Sequence, residues 1–234
     1  MMTQADAPQT AVLELRDVFK IYRDGATETV ALRGADLRVR RGEVVALMGR
    51  SGAGKSTLLN LIGGVDTASA GRVLIDGVEL GGLSEAGRAA RRRQSIGIVF
   101  QDNNLLPFLT ARENVALPAE LAGLPDARRR ADALLAAVGL SDRATHRPKE
   151  LSGGERQRIG VACALVCTPA VVLADEITGE LDSATAERLL MLVVRLGRQS
   201  RAGVLLVTHN PEVARHADRV LKIDDGVLTP LLEV

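Results

Sequence analysis

Val44-Val45-Ala46-Leu47-Met48 leads into Gly49-Arg50-Ser51-Gly52-Ala53-Gly54-Lys55-Ser56, and Thr57-Leu58-Leu59-Asn60-Leu61-Ile62 follows. The first five residues are apolar without alternation, the pattern of a strand buried on both faces. The next eight match G-x-x-x-x-G-K-[ST]. Their glycines let the backbone fold back so that successive N–H groups converge on one anion. Lys55 adds a positive charge near the outer phosphates, and the Ser56 hydroxyl can ligate Mg²⁺. A helix over Ser56–Ile62 would turn its positive end toward the same anion. The stretch therefore predicts a strand, a phosphate-binding turn and a helix.

Outward from this unit the strand signals are Val12–Leu15, Ala31–Val39, Val73–Ile75 with the Asp76-Gly77 turn, and Ile96–Phe100. From Asp102 to about Leu151 the pattern is helical. Thr110 and Glu113 have capping-box spacing, and a second helix over Asp126–Val138 ends at Gly139, a natural C-terminal cap. Ser152 and Glu155 repeat the capping-box spacing before a helix to about Val166. Strands resume at Val171–Ala174, Val204–Val207 and Val220–Ile223, with a helix over Ser183–Leu196 between the first two and a short helix from Asn210-Pro211. Strands alternating with helices indicate an α/β fold with a mostly parallel sheet. We expect a single domain over 1–234, in which residues 11–101 and 156–234 form the α/β core and 102–155 a helical insertion.

The 234-residue chain is 46% hydrophobic, enough to exclude a disordered chain. Lys and Arg number 30 against 29 Asp and Glu, and this balance argues against a general polyanion binder. One Tyr, three Phe and no Trp cannot make a stacking platform for single-stranded nucleic acid. Two cysteines, Cys163 and Cys167, read as small buried hydrophobes. Met1–Thr10 lacks the apolar core of a signal peptide, and no run reaches the ~18 apolar residues of a membrane span. A soluble, cytoplasmic protein is expected. The basic runs Arg91–Arg93 and Arg128–Arg130 read as solvated helix faces.

A phosphate loop alone fits kinases, GTPases and motor ATPases. Val171–Ala174 ends in Asp175-Glu176. Asp175 at the strand end is placed to hold a metal, and Glu176 to polarise the attacking water. Taken alone, two acids after a strand also read as a helix start or surface charge. The class is decided by Leu151-Ser152-Gly153-Gly154-Glu155-Arg156-Gln157-Arg158, a capped helix N-terminus and a second anion site. This octapeptide resembles the signature motif of the ATP-binding-cassette (ABC) ATPases.

The resemblance spans about Leu13 to Val227 and implies a P-loop NTPase (RecA-like) core with an N-terminal antiparallel β region and an inserted helical subdomain. It implies ATP and Mg²⁺. ATP would be held by Gly49, Arg50, Ser51, Gly52, Ala53, Gly54, Lys55, Ser56 and Thr57, with Tyr22 stacking on adenine. Ser152, Gly153, Gly154 and the Asp182 of a Leu181-Asp182 pair would complete the site. Catalysis would fall to Glu176, His209, Gln101 and Lys55, and the metal to Ser56, Gln101 and Asp175. The implied partners are a second ATPase subunit, most simply a homodimer, and an integral membrane permease at the cytoplasmic face, with no nucleic acid. Phe100-Gln101, Leu105-Leu106-Pro107, Glu113-Asn114-Val115 and Leu117-Pro118 look like the branch of lipoprotein-release, macrolide-export and cell-division ATPases. Thr178-Gly179-Glu180-Leu181-Asp182 is similar to that branch's acidic loop.

The sequence departs from the family at Ile177, where Pro is usual, at Glu180, where Asn or a small residue is usual, and at Cys163, where Arg is common. A soluble cassette ATPase acting on DNA or ribosomes is the alternative. Against it, Ser152 lies 96 positions after Ser56 with no heptads between them, and the chain holds one cassette. A kinase or GTPase leaves Leu151–Arg158 unexplained.

Overall fold

The computed structural model describes residues 11–25, 27–101, 104–177 and 182–231. Asp102, Thr178, Gly179, Glu180 and Leu181 lie outside the described residues. Two sheets organise the chain. The first is antiparallel, in the order β2-β1-β4-β5, formed by β1 (Ala11–Asp24), β2 (Thr27–Arg40), β4 (Ala70–Ile75) and β5 (Val78–Glu79). The second has the order β10-β9-β3-β8-β7-β6, with β3 (Val44–Met48), β6 (Ile96–Val99), β7 (Val171–Asp175), β8 (Gly203–Thr208), β9 (Arg219–Asp224) and β10 (Val227–Pro230). Its pairs are parallel except β10 on β9.

The continuous apolar runs are now explained. Along β3, β7 and β8, successive side chains enter opposite cores. Val45, Leu47, Val171, Leu173, Leu205 and Val207 face a core shared with β1, β2, β4 and α1 (Lys55–Ile62). Val44, Val172, Ala174, Val204 and Leu206 face a core shared with α3 (Ala111–Leu121), α4 (Ala127–Ala137), α5 (Gly153–Leu165) and α6 (Ser183–Ser200). A strand between two apolar layers has no solvent face, so alternation never develops.

Both expected capping boxes are present. Glu113 N–H donates to Thr110 Oγ1 at 3.3 Å and Glu113 Oε2 accepts the Thr110 N–H at 2.8 Å. Ser152 and Glu155 repeat the arrangement at the start of α5. At Gly97 of β6 an added Cβ would run into the Ala164 carbonyl, so α5 lies directly on that strand. Asn210 Oδ1 accepts the Glu212 N–H at 2.9 Å and caps the short α7 (Pro211–Ala214).

Among the described residues, one helix and two short strands go beyond the sequence expectation, besides two single 3-10 turns at Ser141–Arg143 and Pro148–Glu150. α2 (Glu85–Ser95) has no apolar stripe, and β5 and β10 are short edge strands. In the first basic run Arg93 is exposed, but Arg91 and Arg92 are docked rather than solvated. Arg91 Nη2 donates to the Ile75 carbonyl at 2.7 Å, and Arg92 Nη1 to those of Gly63 and Gly64 at 3.3 and 3.0 Å. These arginines pin α2 to β4 and to the end of α1 by polar contacts that periodicity cannot register.

Candidate active site

The loop before α1 needs two of its glycines on steric grounds. At Gly54 φ is +109°, and a Cβ would sit 2.6 Å from the Ala31 carbonyl. At Gly49 a Cβ would meet Ile223 Cγ2 at 2.6 Å, because β9 passes directly beneath. The resulting concavity has a volume of about 770 Å³ and is lined by Gly49–Gly52 and Gly54–Thr57. Ala53 points away. It is buried, and its carbonyl accepts the Gly226 N–H at 3.1 Å. Lys55 Nζ donates to the carbonyls of Gly49 at 2.7 Å and Arg50 at 3.0 Å.

The same cavity collects Gln101, Asp175, Glu176 and His209 from the C-terminal ends of β6, β7 and β8. Such ends are where open α/β sheets place their ligands. Burial pushes the Asp175 carboxyl above its ordinary pKa, and the Glu176 charge adds to this while Lys55 opposes it. Glu176 adopts a left-handed φ of +45°, which a non-glycine residue rarely takes. Its N–H donates to the Val207 carbonyl at 3.0 Å, which ties the turn to β8. Its Oε1 lies 3.9 Å from Lys55 Nζ and 3.5 Å from His209 Nδ1. Ile177 is buried beside it in the helical core, so the departure from Pro supplies an apolar anchor at that turn.

Ser152, Gly154 and Asp182 are not in this cavity. They line a second one of about 370 Å³ with Gln157, Arg158, Thr185 and Arg188, and among the described residues the two share none of their lining. Gly153 opens α5 without lining the cavity. Asp182 caps α6, its Oδ1 accepting the Thr185 N–H at 3.1 Å. The Glu155 carboxyl is held at about 2, first by the Ser152 N–H and then by Arg143 and the Ser152 hydroxyl. Its folded pKa lies below the ordinary 4.5, so its stabilisation is complete above 4.5 and is lost as pH falls toward 2. Glu155→Gln is therefore expected to lower the urea midpoint at neutral pH and to flatten its fall between those two values. An unchanged acid limb would show that the cap does not contribute.

The ABC transporter family matches residues 32–179, a span that begins in β2, contains the phosphate loop and ends three residues after Glu176. This chain belongs to the ABC transporter family. It is of the ATPase-subunit type, and among the described residues no helix is long and apolar enough to cross a membrane. The cassette is 47% identical over 225 residues to the lipoprotein-releasing system ATP-binding protein LolD of Pseudomonas fluorescens, covering 95% of this chain and 99% of that one. It is 44% identical to the macrolide export ATP-binding/permease protein MacB of Syntrophobacter fumaroxidans, covering 94% of this chain but 31% of that protein. The dimeric, post-hydrolysis structure of the ATP-binding cassette MJ0796 bound to ADP and Pi superposes with a TM-score of 0.82 at 38% identity, covering 95% of this chain and all of that one.

The cassette also places residues that its motifs do not announce. Thr29, Val30, Ala31, Asp225 and Gly226 complete the first cavity from β2 and the β9–β10 turn. They contribute mainly shape, and no local pattern marks them. Gln157 is buried, and its Nε2 donates to the Gln101 carbonyl at 3.0 Å. It thus links the signature helix to the loop after β6. A glutamine inside a helix whose first turn already carries a motif gives no separate signal. Tyr22 does not line the cavity. It pairs across strands with Thr29, which is in the lining, so both side chains share one face. Cys163 replaces the common Arg without creating a reactive thiol. Burial raises its pKa to about 12, and its Sγ donates to the Asn114 carbonyl at 3.4 Å.

Proposed function

We propose that two copies of the cassette close head-to-tail on two ATP molecules, and that hydrolysis reopens them to work a separate membrane subunit from the cytoplasmic face. The observation that carries this is the separation of the two anion-directed surfaces. The phosphate loop and the α5 N-terminus of one chain line different cavities, so one nucleotide can use both only if the second comes from another chain. Two-fold symmetry then gives two equal sites.

Within each site the loop N–H groups and the positive end of α1 bind phosphate oxygens, and Lys55 neutralises charge on the outer phosphates. Glu176 accepts a proton from the attacking water as its oxygen bonds the terminal phosphorus and the bond from that phosphorus to the bridging oxygen breaks, releasing ADP. His209 touches Glu176 Oε1 and reaches toward the same phosphate, and Gln101 orients the water. Tyr22 stacks on the base. The donor set fits Mg²⁺, because the Ser56 hydroxyl, the Gln101 amide and the Asp175 carboxylate share one cavity, all as oxygen donors. Mg²⁺ typically takes one or two carboxylates plus substrate phosphates, and a cation would relieve the desolvation that raises Asp175. When bound it would neutralise charge on the transferring phosphoryl group.

Residues 102–155 act in this reading as the helical subdomain that meets the membrane partner, with 11–101 and 156–234 as the core. An apolar groove of about 310 Å³ supports it, with Phe100, Leu105, Leu106, Leu117 and Leu121 in its walls. Buried Asn114 fixes the loop forming one wall, bonding the backbone of Leu106, Leu109 and Thr110. We place the cassette in the lipoprotein-release and macrolide-export branch. The test is purification from detergent-solubilised membranes. Recovery of a polytopic membrane protein supports the reading, and recovery of ribosomes or DNA instead would overturn it.

A further inference from the structure

Tyr22 is held by two residues that no motif connects to it. Its hydroxyl donates to Asp66 Oδ2 at 3.1 Å. Lys20 Nζ donates to Asp66 Oδ1 at 2.6 Å and to the Thr67 carbonyl at 2.9 Å, and lies 4.8 Å from the centroid of the Tyr22 ring. Burial raises the Asp66 carboxyl, but the hydrogen bonds from Lys20, the Thr67 N–H and Tyr22 outweigh it and leave the group below the ordinary carboxylate range. It is an anion at neutral pH, and the Lys20 side chain is only 11% exposed beside it. Asp66 is in turn part of the loop that closes α1. The N–H groups of Val65 and Asp66 both donate to the Asn60 carbonyl. The first residue of α1 is Lys55.

An aromatic ring has two faces to offer. A cation above one face is attracted by the ring quadrupole and occupies it. The opposite face remains for a second planar partner, and Tyr22 is 39% exposed, paired across strands with Thr29 of the phosphate cavity's lining. The hydroxyl contact removes the rotation that a free ring would lose on stacking.

We propose that Asp66 and Lys20 are positioning residues that fix the Tyr22 ring so that the nucleotide base stacks on the face away from Lys20. Base recognition and phosphate binding are thereby built on the two ends of one helix, α1. This rests on the reading of Tyr22 as the base-stacking residue. If the ring alone mattered, Tyr22→Phe would be silent, whereas here the hydroxyl has its own task.

The test compares MgATP with magnesium tripolyphosphate, which has phosphates and no base. Calorimetric affinities are measured for wild type, Tyr22→Phe, Asp66→Asn and Tyr22→Ala. The chain has one Tyr and no Trp, so emission excited at 280 nm reports Tyr22 alone. Tyr22→Phe and Asp66→Asn are each expected to weaken MgATP about three- to tenfold and to leave tripolyphosphate unchanged. Asp66→Asn should also raise the tyrosine emission, since a carboxylate acceptor quenches an excited phenol. If Tyr22→Ala weakens MgATP while the other two match wild type, the positioning proposal is overturned and the stacking reading stands. If Tyr22→Ala itself binds MgATP normally, the stacking reading fails and the proposal falls with it. Equal loss for tripolyphosphate would mean a distorted phosphate loop and would also overturn it. Tyr22→Phe leaves the Asp66 loop intact, so the test survives a poorly folded Asp66 variant.

Discussion

Glu176→Gln is expected to bind MgATP and to hydrolyse it at least ~10²-fold more slowly than wild type, the scale for removing one group that acts in the transition state. The amide is isosteric with the carboxylate, so the turn at Glu176 and its N–H bond to Val207 persist. The amide cannot take a proton from water. It also carries no charge beside Lys55 Nζ at 3.9 Å, so nothing in the change weakens binding of an anionic nucleotide. With binding retained and turnover stopped, closed ATP-bound dimers should accumulate and elute early on gel filtration. Near-wild-type phosphate release would remove Glu176 as the base and turn attention to His209, 3.5 Å from the same carboxylate oxygen. Loss of nucleotide binding instead would mean that the left-handed turn depends on the charge.

Much of this geometry is legible in the sequence, for physical reasons. β3, β7 and β8 announce themselves because both faces are buried, which forbids polar residues along them. The phosphate loop is legible because Gly49 and Gly54 meet steric limits that only glycine satisfies. The capping boxes at Thr110 and Ser152 are contacts between neighbours in sequence, so spacing alone exposes them. What stayed hidden is long-range and polar. α2 is anchored by arginines reaching carbonyls of Ile75, Gly63 and Gly64, and a run of arginines reads the same whether it is solvated or docked. The Gln157 bond to Gln101 and the Asp66 bond to Tyr22 join residues far apart in the chain. The β9–β10 turn enters the site only because the sheet order brings β9 beside β3.

The second large effect is expected from a mixture of two defective chains. A Lys55→Ala chain loses the cation of the phosphate loop, at a cost of about 3 kcal/mol in binding or more than a hundredfold in affinity. A Gly154→Asp chain keeps its loop but places a carboxylate where the α5 N-terminus would meet phosphate. The substitution is compatible with folding. A Cβ at Gly154 would make an ordinary 3.5 Å contact with Thr185 Cγ2, and an acid in a helix's first turn suits the helix dipole. Each variant should fail alone, because every site of its homodimer carries the defect. In the mixed dimer a head-to-tail arrangement puts both defects into one site. The other then combines the intact loop of the Gly154→Asp chain with the intact α5 of the Lys55→Ala chain. With Glu176→Gln in both chains to prevent turnover, the mixture is expected to retain one tightly bound ATP per dimer, where neither variant alone retains any. Hydrolysis is the wrong readout, since turnover can require two working sites, whereas nucleotide retention counts sites one at a time. If each chain built a complete site from its own two cavities, mixing would repair nothing. No retained ATP in the mixture would therefore refute the shared site.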